Sequence, residues 1–172
     1  MFAYKTISDI LPLMDADKRI KYIDEMEKLK AGIDAAFTGD RYMRAYTDDG
    51  LALGAGAEGE PCALDILAQS WAVISGAADR DSADIAIDTA LGMVDGSHGI
   101  IPLLSPPFDK SRYCGYISSY PRGVRENGGQ YTHAAVWLLK AVCSLKREDE
   151  AYTLARMLNP IVRCATEEDS RY

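Results

Sequence analysis

A chain of 172 residues with 48% hydrophobic content is the size of one domain and carries enough apolar material for one core. With 26 acidic against 19 basic side chains and a formal charge of −7, its surface repels a phosphate backbone, which argues against nucleic-acid binding. No apolar run reaches the roughly 18 residues needed to cross a bilayer, and Met1 to Ile10 lacks the basic flank and apolar stretch of a signal peptide, so the expectation is a cytoplasmic chain with no membrane segment.

From Asp17 to Phe37, Ile20, Ile23, Met26, Leu29, Ile33 and Phe37 recur every three or four residues, which predicts an amphipathic helix. Gly39 to Gly59 breaks that period and reads as loop, with a short strand possible at Arg41 to Tyr46 and a turn at Asp48-Asp49-Gly50. A second helix is expected from about Ala63 to Ser75, stopping at Gly76, with Leu64, Leu67, Trp71 and Ile74 on one face. A third follows Asp81 as its cap, and the two make a hairpin. Asp95 to Gly129 is punctuated by Pro102, Pro106, Pro107, Pro121 and repeated glycines, with at most a short strand at Ile100 to Leu104. A stretch this long without regular structure is expected to be a binding loop, ordered by Tyr113, Tyr116 and Tyr120. Gln130 to Leu145 is apolar nearly all round and should be an interior helix, and a last helix from about Asp149 ends at Asn159-Pro160. The fold class is therefore all-α, helical hairpins carrying long ordered loops, in one domain over residues 1–172.

Cys62, Cys114, Cys143 and Cys164 form no Cys-x-x-Cys pair and have no histidine at ligand spacing, so neither a metal site nor a cofactor is expected. The densest polar tract is Arg122 to His133, at a loop-to-helix junction. Amides at a glycine-rich helix start can hold an anion, Arg125 can add a fork of donors, and His133 lies about one turn inside the helix. The bland alternative is a glycine turn, a capping Asn127 and a satisfied core histidine. Asp48 and Asp49 read more simply as a solvated turn than as an acid–base pair. Gln69 beside Trp71 would suit a sugar ring, although Trp71 is equally explained as core.

The tract Gly115-Tyr116-Ile117-Ser118-Ser119-Tyr120-Pro121-Arg122-Gly123-Val124-Arg125-Glu126-Asn127-Gly128-Gly129-Gln130-Tyr131-Thr132-His133-Ala134-Ala135 resembles the signature of glycoside hydrolase family 94, nearest its β-1,2-glucan branch. Arg44-Ala45-Tyr46 with Asp48-Asp49-Gly50, Asp65 to Val73, Pro106-Pro107-Phe108-Asp109 and Leu158-Asn159-Pro160 occur in the family's order, so the likeness covers about Arg41 to Tyr172. The resemblance implies that the hairpins form the central-to-late part of an (α/α)6 barrel. It also implies inverting phosphorolysis or remodelling of a β-glucan, with phosphate as attacking group and one protein carboxyl as general acid. Its carried-over roles are Glu126 as a sugar-binding carboxylate, His133 as the phosphate-binding histidine, and Arg44 and Gln69 in cleft-lining segments; Arg125 joins His133 as a phosphate contact from its place in the glycine-rich tract. The expected partners are a β-glucan oligosaccharide, inorganic phosphate and the remaining portions of the same barrel.

The departures bear on activity. The family's general acid lies in a Trp-Asn-Asp type tract upstream of the Arg-Ala-Tyr segment, whereas Trp71 and Trp137 are followed here by Ala72 and Leu138, so no catalytic residue is assigned. The family's phosphate-binding Thr-Gly pair follows the Asn-Pro segment, and the Thr38-Gly39 pair stands elsewhere. Arg122 replaces a common proline and Thr47 a common aromatic. The expectation is a chain inactive alone; a non-catalytic or degenerate carbohydrate-binding protein is the alternative.

Overall fold

The computed structural model describes residues 1–57, 59–109 and 115–168; Tyr113 and Cys114, considered above, lie outside them. In chain order the elements are α1 (Phe2–Ile10), a 3-10 turn (Leu11–Leu13), α2 (Ala16–Ala35), β1 (Ala45–Tyr46), β2 (Ala52–Leu53), β3 (Leu64–Asp65), α3 (Ile66–Ile74), α4 (Arg80–Leu91), β4 (Leu104–Ser105), a second 3-10 turn (Ile117–Ser119), α5 (Thr132–Ser144), α6 (Glu148–Leu158) and α7 (Pro160–Arg163). The described chain is thus mainly helical, with two antiparallel ladders, β1 on β2 and β3 on β4.

Two hairpins form the body. In the first, α3 turns at Gly76, whose φ of 69° suits a residue without a Cβ, and returns as α4. Asp79, two residues before the expected Asp81, caps α4 by accepting from the Ser82 amide at 2.9 Å. In the second, α5 ends with Lys146 in the left-handed region at φ 59°. The Lys146 amide bonds the Cys143 carbonyl and the Arg147 amide bonds the Val142 carbonyl, which closes the last turn before α6. Proline at 160 stops α6 as expected, but it also opens α7 at the first helical position, where Asn159 caps the Ile161 amide at 2.9 Å.

The hairpins join where α3 packs on α5. Ala134, Ala135 and Ala141 let the helix axes approach, while Ile66, Ile87, Leu138 and Leu154 fill the seam. Each such fully buried aliphatic side chain contributes about 1.5–3 kcal/mol. Burial of α5 is one-sided rather than complete, because Val136 is exposed. Arg147 ties α4 to α6, bonding Asp88 at 2.7 Å and Glu150 at 2.8 Å.

The long 95–131 loop places the site. Its segment 100–108 runs laterally between two others: Leu64 and Asp65 pair with Ser105 and Leu104, and on the far side the Leu103 amide bonds the Gly129 carbonyl at 2.9 Å. The Gln130 side chain accepts from the Ile101 amide at 2.8 Å. The segments leading into α3 and α5 are therefore bound to a common strand, and the N-terminal ends of both helices emerge side by side.

Outside this body, α1 and α2 pack on each other, and α2 buries only Ile33. Ile33 joins Tyr42, Ala72, Ala77 and Ala86 in a second small core. The expected apolar stripe of α2 is present in sequence, but Ile20 and Ile23 are exposed, since no described element covers them.

Candidate functional site

Three clusters lie around the paired helix starts. The first hangs on α3. Asp65 is 1% exposed; it accepts from the Leu67 amide at 2.7 Å, capping α3, and its other oxygen takes the Arg44 guanidinium. Burial pushes the Asp65 carboxyl up, against the pull of Arg44 and the Leu67 amide. Burial also opposes the Arg44 charge, but Asp65 and the neighbouring Cys62 thiol prevail and hold that pKa above its ordinary value. Arg44 and Asp65 border a cavity of about 470 Å³ shared with Met1, Ile33, Met43 and Ala68. One helical turn on, Gln69 is 0% exposed: its oxygen accepts from the Tyr42 amide at 2.7 Å, and its nitrogen donates to the Tyr42 and Asp65 carbonyls at 2.9 and 3.0 Å.

The second cluster is the turn 120–129. Asn127, fully buried, accepts from the Phe108 amide at 2.7 Å and donates to the Phe108 and Tyr120 carbonyls, both at 2.9 Å. It pins the loop rather than capping a helix. Gly129 has its amide bonded to the Arg125 carbonyl, and a Cβ there would meet Arg125 N and O and Gly123 O at 2.9 Å. That amide serves the turn and is withdrawn from any anion. Arg125 adopts φ 50°, an uncommon conformation for a side-chain-bearing residue. Its guanidinium lies 4.9 Å from the Tyr120 ring centre, and its Nε stands 3.6 Å from Glu126 Oε2. The Glu126 side chain is 16% exposed, and Oε2 is buried without a hydrogen-bond partner. A buried carboxylate oxygen in that condition is costly unless a ligand or solvent donor meets it.

The third cluster opens α5. No side chain caps this helix; the Ala134 amide already bonds the Tyr131 carbonyl at 3.0 Å, which leaves the Thr132 and His133 amides without a helical partner among the described residues. His133 sits there, exposed, with its ring 4.6 Å from that of Tyr131 and 4.9 Å from that of Trp137. Trp137 in turn meets Trp71 of α3 at 5.0 Å.

The catalytic domain of the glycosyl hydrolase 94 superfamily matches residues 1–171. The chain belongs to this family. It is 41% identical over 150 residues to the cyclic beta-(1,2)-glucan synthase NdvB of Rhizobium meliloti, an alignment covering 86% of this chain and 5% of that protein. Over 122 residues it is 34% identical to the 3-O-beta-D-glucopyranosyl-beta-D-glucuronide phosphorylase of Paenibacillus borealis, and over 126 residues 29% identical to the solabiose phosphorylase of the same organism. Those alignments cover 70% and 73% of this chain and 16% of each phosphorylase, so the chain spans a small part of each relative's length.

Within this family 94 chain the sequence-expected residues separate. Arg125 and Glu126 stand together; Arg44 and Gln69 are linked through Asp65; His133 is joined to α3 through the ring contacts of Trp137 and Trp71. Gln69, expected at the sugar, offers no exposed atom in this structure, because all of its polar atoms serve the backbone. The core-histidine reading of His133 is corrected by its exposure, and Asp48 and Asp49 are an exposed turn. Asp65 was missed as a partner for Arg44, although an aspartate just before an apolar helical run is a cap signal. Among the described residues, no helix is long and apolar enough to cross a membrane, and no group of three or more His, Cys, Asp or Glu is placed to hold a metal ion.

Proposed function

We propose that this chain is the central-to-late part of an (α/α)6 barrel that phosphorolyses or remodels β-linked glucans with inversion, β-1,2-glucans first among them. It contributes sugar and phosphate contacts to a site whose general acid lies outside these 172 residues. The observation that carries this reading is the Glu126 carboxylate: half-buried, held beside Arg125, with one oxygen shielded and lacking a hydrogen-bond donor. Such an oxygen suits a sugar hydroxyl, which would supply the missing donor. His133 and the uncapped start of α5 favour a second, anionic ligand.

In this mechanism a phosphate oxygen attacks the anomeric carbon while the absent acid protonates the departing glycosidic oxygen. Glu126 fixes the sugar by accepting from its hydroxyls. His133 and the α5 amides hold the phosphate charge, and Arg44, Asp65 and Gln69 brace the wall behind them. Without proton transfer the leaving alkoxide is poorly stabilised, a deficit of roughly 10² to 10⁴ in rate.

Purified chain is expected to release no glucose 1-phosphate from sophorose and phosphate. Placed in the glucan synthase relative in exchange for the matching 150 residues, it is expected to support glucan formation. There Glu126→Gln should lower turnover about ten- to 150-fold, the worth of a hydrogen bond to a charged group. Product from the isolated chain would contradict the absence of the acid. A Glu126→Gln exchange chain as active as the unaltered exchange chain would contradict the role of Glu126.

A further inference from the structure

We propose that Tyr131 and Trp137 form an aromatic bracket that positions the His133 imidazole for an anion, an inference that rests on the phosphate role given to His133 above. The functional histidine's ring is usually oriented by a hydrogen bond from one nitrogen to a carbonyl or carboxylate, leaving the other nitrogen for its task. Among the described residues neither ring nitrogen of His133 has such a partner. The ring nevertheless has two close neighbours. Tyr131 stands at 4.6 Å with an interplanar angle of 83°, and Trp137 at 4.9 Å and 87°. Edge-to-face contact is the arrangement that the charge distribution of aromatic rings favours. Among the described residues both nitrogens thus stay available to ligand, while the ring contacts fix the orientation.

The bracket has support behind it. Trp137 is one helical turn beyond His133, on the same face of α5. Trp71 packs edge-on against it at 5.0 Å from α3, and Phe2 of α1 meets Trp71 at 5.4 Å. The five rings Phe2, Trp71, Trp137, His133 and Tyr131 form one continuous file from α1 to the start of α5. Tyr131 and Trp137 are positioning residues, acting on the anion only through His133.

The size of the effect follows from rotamer populations. A helical histidine freed at χ1 divides its time mainly between two staggered wells. With only a third to a half of molecules competent, phosphate affinity falls about two- to three-fold. The test is NMR of the 172-residue chain, whose two histidines are readily told apart with His98→Gln. It measures the Hα–Hβ couplings of His133 without ligand, then titrates inorganic phosphate. The unaltered chain should show one χ1 rotamer. Trp137→Leu should show averaged couplings and a dissociation constant two- to three-fold weaker, Trp137→Phe should restore both, and His133→Ala should abolish the phosphate response at the Thr132 amide. Averaged couplings in the unaltered chain overturn the bracket whether or not Trp137→Leu folds, as does a single rotamer retained in Trp137→Leu. A single rotamer with no phosphate response supports the bracket and contradicts the phosphate role of His133.

Discussion

Three hydrogen bonds fix what Gln69 does in this chain. Tyr42 faces Phe37 in an isolated bridge whose hydrogen bonds are made by the flanking residues, and the Gln69 side chain serves Tyr42's own amide and carbonyl. Gln69→Leu would keep the volume while leaving these groups unpaired in a buried place, at about 1–3 kcal/mol for each. A net loss of about 2–4 kcal/mol is expected, lowering the melting temperature by roughly 5 to 15 °C for a chain of this size. A purely sugar-binding glutamine would give no such loss, so thermal denaturation of Gln69→Leu distinguishes the two roles. The sequence marked the position but not this task, because hydrogen bonds between residues 27 apart leave no local pattern. Asn127 makes the same point: the glycine turn around it was legible, whereas its hold on Phe108 across 19 residues was not. Glu126 and His133 were readable only as members of a motif. Their conditions, one with an unmatched oxygen and the other bracketed by rings, are products of tertiary packing.

At the scale of elements, α2 and α5 differ in what holds them. α5 buries Ala134, Ala135, Leu138, Ala141 and Val142 against α3 and α6, whereas α2, seven residues longer, buries Ile33 alone. Helices owe most of their stability to a packed face, so the first half of α2 should open easily. Hydrogen–deuterium exchange is expected to be at least roughly tenfold faster for amides 20–28 than for amides 136–142; equal protection would contradict this account of α2. Apolar spacing found the bodies of α2, α3 and α4, continuous apolar character that of α5, and the proline stop at Asn159-Pro160 that of α6. None of these signals found α1, which lies within a stretch weighed only against a signal peptide and buries no residue. Nor did they find β3 and β4 as partners, because their pairing joins residues about 40 apart, Leu64 with Ser105.

On the scale of the molecule, the site is a consequence of lateral pairing. Residues 100–108 bind the approaches to both α3 and α5, and this brings an α3 cluster around Asp65 and an α5 cluster around His133 to one end of the hairpin pair. Residue order announced the family, while the shared strand that sets the site's geometry depends on backbone groups whose partners no motif specifies. In the proposed function this end holds two ligands by separate residues, sugar at Glu126 and phosphate at the start of α5. The most direct measurement is a pair of NMR titrations of the isolated chain, one with sophorose and one with inorganic phosphate, each followed at every backbone amide. Phosphate is expected to bind weakly, near a millimolar dissociation constant or about 4 kcal/mol, shifting the Thr132 and His133 signals, and sophorose to shift those of Arg125 to Asn127. Each response should survive saturation with the other ligand and vanish in His133→Ala or Glu126→Gln respectively. No response of either segment up to tens of millimolar ligand, or responses untouched by both substitutions, would contradict the claim.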